Sequence, residues 1–137
     1  RVLGGGLVKG SVLLLGGEPG VGKSTLMLQT ALQLDGLKIL YVSGEESPGQ
    51  IRLRASRFVK GSSEILLYSG TIAENIIAAA EKIKPDIVVV DSIQTVYTDQ
   101  NPGSPGTVGQ IRACAQLLQR FAKQSLTPVI LIGHPVK

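Results

Sequence analysis

Five short, nearly unbroken apolar runs separated by segments of helical period constrain this chain more than any other feature of its sequence. The runs are VLLLG (12–16), KILYVS (38–43), EILLY (64–68), IVVVD (87–91) and VILIG (129–133). A strand with one wet face alternates apolar and polar residues. These runs do not, which predicts strands covered on both faces, as in a parallel sheet. The first helical segment runs from Lys23 to about Leu34, with Leu26, Met27, Thr30, Ala31 and Leu34 on one side. The second opens at Ser47, where SPGQ supplies a hydroxyl cap, a proline at the first helical position and a glutamine three residues after the cap. Its apolar stripe is Ile51, Ala55, Phe58 and Val59, and Gly61 can end it. The third begins with a capping box, TIAE, and turns Ile72, Ile76, Ala80 and Ile83 toward the sheet before Pro85 closes it. The fourth shows Val108, Ile111, Ala115, Leu118 and Ala122 at helical spacing, with Cys114 as a small, partly buried packing residue. Strict β-α alternation places the chain in the α/β class, with a parallel sheet and right-handed crossovers. One long loop, Ser92 to Gly106, is a candidate functional segment.

Composition narrows the classes further. A length of 137 residues suits one compact domain, and 43% hydrophobic against 18% charged residues argues against disorder. Fourteen Lys and Arg against ten Asp and Glu leave +4, a mild excess compatible with a phosphate-rich partner. A single cysteine excludes an internal disulfide and a Cys-based zinc site, and fits a reducing, cytoplasmic setting. No apolar stretch approaches the length of a membrane span. The chain opens on Arg1 and closes at Lys137 just after a strand-like run, so residues 1–137 read as the core domain of a longer protein.

Between the first strand and the first helix lies GGEPGVGKST, in which Gly17, Gly22, Lys23 and Ser24 match G-x-x-x-x-G-K-[ST]. Glycines let the backbone curl so that successive N–H groups face one anion, and the helix adds its positive dipole end. The ATP-binding loop is therefore Gly17, Glu18, Pro19, Gly20, Val21, Gly22, Lys23, Ser24 and Thr25. Lys23 should reach the β- and γ-phosphates, Ser24 should ligate Mg²⁺, and Thr25 should sit near the α-phosphate. Bound metal calls for a second, carboxylate-linked contact, which Asp91 supplies where DIVVVDS leaves its strand. Ser92 could help place water or metal. Asp86, at the other end of that strand, is expected to be structural.

YVSGEES then places two carboxylates just past the second strand. In a parallel sheet all strand C-terminal ends share one edge, and ligands bind there. Glu45 comes first and is the better-placed base to align the water attacking the γ-phosphate; Glu46 tunes it or favours the next helix N-terminus. His134, after the fifth strand, reaches the same edge as a candidate sensor. Arg112, Arg120 and Lys123 give the fourth helix a basic face that could meet DNA, whereas the 92–106 loop offers Tyr97 for stacking but no Lys or Arg.

Several stretches together resemble the ATPase core of the bacterial RadA (Sms) family, within the RecA-like motor ATPases: RVLGGGLVKGSVLLLGGEPGVGKSTL, LYVSGEES, VVVDSIQTVY, SPGTVGQIRACAQLLQRFAK and GH before the end. The resemblance implies a three-layer P-loop NTPase of RecA-like topology, strand order 3-2-4-5-1. It implies Mg²⁺-dependent ATP hydrolysis coupled to single-stranded DNA in recombinational repair and branch migration, by a hexameric ring. Carried over by position, Lys23 and Ser24 take the phosphate-loop roles, Glu45 the catalytic glutamate, Asp91 the Walker-B acid and His134 a sensor. The family's amino-terminal zinc module, its KNRFG motif and its carboxy-terminal protease-like domain do not occur in these residues. Lys9 and Pro135 also depart from the family's usual Pro and its GHVTK. Two other readings compete: a regulatory ATPase of the KaiC type, and a nucleotide-binding module without turnover.

Overall fold

A computed structural model describes Gly10 and residues 12–15, 36–44, 47–55 and 64–133. Within them lie β1 (Val12–Leu15), β2 (Lys38–Ser43), α1 (Pro48–Ala55), β3 (Glu64–Ser69), α2 (Ala73–Ile83), β4 (Ile87–Asp91), a 3₁₀ turn (Ile93–Thr95), α3 (Val108–Ser125) and β5 (Val129–Ile132). The strands form one parallel sheet in the order β1-β5-β4-β2-β3. This is the expected 3-2-4-5-1 arrangement, and each strand lies within a residue of its apolar run. The predicted helix from Lys23 lies outside the described residues, as do Phe58, Val59 and Gly61.

Strands β2, β4 and β5 are buried on both faces, which is why their runs carry no polar alternation. On one face Leu40, Val42, Val88, Val90, Val129 and Leu131 pack with Ala73, Ile76 and Ala80 of α2 and with Cys114, Leu118, Phe121 and Ala122 of α3. The alternate residues Ile39, Tyr41, Val89, Ile130 and Ile132 point to the other face and are also buried. At the N-terminal edge, the Lys38 amide donates to the Asp86 carboxylate at 2.8 Å and the Asp86 amide donates back to the Lys38 carbonyl at 2.7 Å. Asp86 thus ties β2 to the start of β4, far from the opposite edge.

Helix ends follow local chemistry with one correction. At α1 the capping box forms as expected: the Gln50 amide donates to Ser47 Oγ at 3.3 Å, and the Ser47 amide donates to Gln50 Oε1 at 3.2 Å. At α2 the TIAE box does not form. Its N-cap is Ile72, with no side-chain bond, because Glu74 instead accepts the hydroxyl of Thr98. That contact is charge-assisted and joins two segments 24 residues apart, a better use of the carboxylate than a local cap. Helix α3 is capped by Thr107, whose side chain accepts the Gln110 amide. Its buried stripe also differs from the expected one. Val108 is 70% exposed, whereas Gln110 and Cys114 are fully buried.

Candidate functional site

The strand register fixes where each chain segment leaves the sheet. Leu15 pairs with Ile132, Ile132 with Asp91, Asp91 with Ser43 and Ser43 with Ser69, so all five strands finish on one straight row. At the usual strand spacing, the end of β1 and the carboxylate-bearing end of β4 are about 10 Å apart, with β5 between them. The residues that follow this row in sequence are GGEPGVGKST after β1, GEES after β2, Ser92 after β4 and Gly133-His134 after β5. Gly17 to Thr25, Glu45, Glu46 and His134 lie outside the described residues; Asp91, Ser92 and the basic residues of α3 lie inside them.

Asp91 is 5% exposed at the end of the central strand. Its carboxylate accepts the Tyr41 hydroxyl at 2.9 Å across the β2–β4 pair. A buried carboxylate oxygen at the C-terminal edge is a hard donor, the kind that Mg²⁺ takes from protein alongside substrate phosphates. Asp91 therefore fits the metal that the sequence motif implies. The Asp91–Ser92 peptide is cis. Ser92 is buried, and its carbonyl accepts both the amide of Thr95 at 3.1 Å and its hydroxyl at 2.8 Å, closing the 3₁₀ turn.

The β2 exit is held with equal care. The Gly44 amide donates to the Asp91 carbonyl at 3.2 Å, extending the β2–β4 ladder one residue beyond the strand. The Gly70 amide donates to the Ser43 carbonyl at 3.3 Å on the other side. A Cβ at Gly44 would lie 2.9 Å from the Cβ of Thr95 and 3.1 Å from Cγ2 of Thr71, so glycine is required by close approach rather than by an unusual φ. The residue next in sequence is Glu45.

The long loop after β4 is a fastened structure. Tyr97 donates its amide to Thr71 at 2.8 Å, and its carbonyl accepts from Ala73 at 2.9 Å. The Gln110 amide nitrogen donates to the carbonyls of Thr98 (2.9 Å), Asn101 and Gly103 (3.2 Å), while its Oε1 accepts the Thr98 amide at 2.9 Å. One buried α3 side chain thus organises residues 98–103. Cys114, a turn along the same helix, has its thiol pushed up to about 11 by burial and, secondarily, by the Glu74 charge. It stays a neutral packing group at physiological pH.

On the outer side of α3, Arg112, Arg120 and Lys123 are all exposed. At 100° per residue Arg112 and Lys123 fall about 20° apart and Arg120 within about 80°, a single face roughly 16 Å long. Tyr41, Thr95 and Gln110 carry the local architecture, and sequence reading did not single them out. A tyrosine in a strand and a glutamine in a helix are ordinary, and it is the β2–β4 register that brings Tyr41 onto the face of Asp91. Among the described residues no helix is long and apolar enough to cross a membrane.

Residues 1–137 match a family model described as "AAA domain". The chain is 49% identical over 144 residues to DNA repair protein RadA of Brucella abortus (strain 2308), covering 100% of this chain and 31% of that protein. RadA of Pseudomonas aeruginosa is 49% identical over 138 residues, and RadA of Bacillus subtilis (strain 168) 48% over 139; each match covers 100% of this chain and 30% of the relative. The chain therefore spans somewhat under a third of the length of the curated relatives it matches. Among solved structures it is similar to one described as "The Structure Of A DnaB-Like Replicative Helicase And Its Interactions With Primase", with a TM-score of 0.67 and 15% identity over 93% of this chain and 39% of the other. At that identity the likeness speaks for the fold alone. A family match over every residue, with RadA proteins nearly half identical throughout, shows that the chain belongs to the AAA domain family as a RadA-like domain of RecA fold.

Proposed function

We propose that residues 1–137 are the nucleotide-hydrolysing core of a DNA repair protein, and that ATP is bound and cleaved at the C-terminal edge of the sheet. The observation carrying this reading is the common row Leu15–Ile132–Asp91–Ser43–Ser69, which the phosphate-loop motif, the strand-end acid and the GEES segment all adjoin in sequence. Curled amides from Gly17 to Gly22 cradle phosphate, and Lys23 adds a point charge on the β- and γ-phosphates. Ser24 and Asp91 hold Mg²⁺, which when bound neutralises the charge that develops on the transferring phosphoryl group. Glu45 accepts a hydrogen bond from the attacking water and aligns it; its neighbour Gly44 is fixed to Asp91 through the backbone, which supports the assignment. Ser92 and His134 flank the same edge as candidate sensors of the γ-phosphate.

The basic face of α3 (Arg112, Arg120 and Lys123) is the proposed contact for single-stranded DNA. The full-length protein acts in the cytoplasm as a hexameric ring in recombinational repair and branch migration. Relatives named as DNA repair proteins support this reading. The test is ATP binding and turnover by the full-length protein with and without single-stranded DNA, on wild type and Glu45→Gln. We expect DNA-stimulated hydrolysis in the wild type, and a variant that binds ATP but turns over at least about a hundredfold more slowly. Retained turnover in Glu45→Gln removes that residue from the mechanism. Slow turnover indifferent to DNA points to a regulatory ATPase of the KaiC type, and binding without turnover to a nucleotide-binding module.

A further inference from the structure

The Tyr41 hydroxyl reaches the strand-end carboxylate of Asp91 from the neighbouring strand. The β2–β4 register pairs Tyr41 with Val89 and Ser43 with Asp91, so Tyr41 and Asp91 leave the same sheet face one pleat apart. Tyr41 is 0% exposed, and its hydroxyl donates to Oδ2 at 2.9 Å. Phenylalanine would fill the same apolar volume; what tyrosine adds is a donor aimed at a carboxylate. The terminal torsion of an aspartate is soft and roughly two-fold, so a strand-end carboxylate with nothing to fix it rotates over a broad range. A donor on a ring locked inside the sheet removes that freedom.

We infer that Tyr41 is a positioning residue, setting the rotation of the Asp91 carboxylate so that it meets a divalent cation in one orientation. The role rests on the site proposed above, in which Asp91 faces the metal. Partners that orient a metal-ligating carboxylate without touching the metal typically carry about ten- to a hundredfold in metal affinity. The opposing view is that Asp91 merely satisfies a buried phenol. The two views part on what happens once Asp91 can no longer act as a charged ligand. If Tyr41 works through the carboxylate, its hydroxyl matters for metal only while the carboxylate is there.

The experiment is a Mn²⁺ titration of the full-length protein, held in excess over a non-hydrolysable ATP analogue and read by loss of the free-ion paramagnetic resonance signal. It compares wild type, Tyr41→Phe, Asp91→Asn and the double variant. Metal-free nucleotide affinity and melting temperature are measured alongside. Tyr41→Phe is expected to weaken Mn²⁺ about tenfold or more while leaving metal-free nucleotide affinity unchanged, and to have no further effect in the Asp91→Asn background. Asp91→Asn keeps an acceptor for the phenol, so weakened Mn²⁺ with its melting point held supports the site on which the role rests. The role itself is read from the Mn²⁺ affinity of Tyr41→Phe, measured below that variant's own melting temperature. If Asp91→Asn leaves Mn²⁺ affinity unchanged, or the wild type fails to bind the analogue, the proposed site itself falls and the inference with it. If Asp91→Asn weakens Mn²⁺ but Tyr41→Phe does not, or if the two effects simply add, the site stands and the positioning role is overturned.

Discussion

Replacing Gln110 by leucine removes one buried amide and little volume, which makes it a clean probe of how the segment after β4 is held. Gln110 is 1% exposed, and its two amide protons are shared among three carbonyls while its oxygen takes the Thr98 amide. The four backbone partners do not count equally. Asn101 is only half-buried and Gly103 is exposed, so water can replace what their carbonyls lose. Thr98 is 1% exposed, and both its N–H and its carbonyl would be orphaned. At about 1–3 kcal/mol for each unsatisfied buried group, the cost with the backbone held rigid is roughly 2–6 kcal/mol. Residues 99, 100 and 102–105 are exposed, so the segment can peel away and rehydrate Thr98 before the whole domain unfolds. The expected outcome is therefore local: a loss near the lower bound, about 2 kcal/mol. That corresponds to roughly 30-fold faster hydrogen exchange at the Thr98 amide. Amides inside β4 and β5 should keep most of their protection. Native-state exchange on the full-length protein reads both at once. Unchanged protection at Thr98, with a stability loss under about 0.5 kcal/mol, would refute the claim that this glutamine fastens the loop.

Gly44→Ala should cost about 1–3 kcal/mol, read as a lowered denaturant midpoint, because the new Cβ meets Thr95 and Thr71 and Thr95 is tied to the Ser92 carbonyl. The Cys114 thiol should resist iodoacetamide at pH 8 in the native state and react once the protein is denatured. Its raised value also has a stability consequence. The unfolded chain surrenders this proton first, near 9, so stability is unaffected below that pH and falls as pH rises toward about 11. Cys114→Ala should flatten that decline in thermal melts taken across the alkaline range. For the basic face, three phosphate contacts predict a slope of about −2 in log K against log salt for single-stranded DNA. Neutralising Arg112, Arg120 and Lys123 together should bring the slope toward zero, and an unchanged slope would place the DNA contact elsewhere.

Sheet order and strand limits were legible in the sequence because they rest on short-range, redundant signals. Five apolar runs alternating with helical segments leave few topologies, and the resemblance of the motifs picked the observed order from among them. The cap at Ser47 was equally local: donor and acceptor sit three residues apart, and nothing distant competes for them. Where a distant partner did compete, local reading failed. Glu74 had the right spacing for a cap at Thr71 but bonds Thr98, 24 residues away, and that preference exists only once α2 and the loop after β4 lie side by side. Helical periodicity placed Val108 in the core and passed over Gln110. Periodicity weighs hydrophobicity alone, whereas a buried amide is stabilised by four backbone partners that a one-dimensional pattern does not contain.

The same division runs through the candidate site. The sequence by itself determined which chemistry is on offer: a motif of the phosphate-binding type, an acid closing a strand and a glutamate pair after another. Tertiary structure alone decided that all five strands end flush on one row, that the backbone of Gly44 is tied to Asp91, and that the Tyr41 hydroxyl holds the Asp91 carboxylate. The physical reason is range. Residue type and spacing along the chain set what a group can do, but register between strands 50 residues apart, as Tyr41 and Asp91 are, is fixed only by the packed sheet.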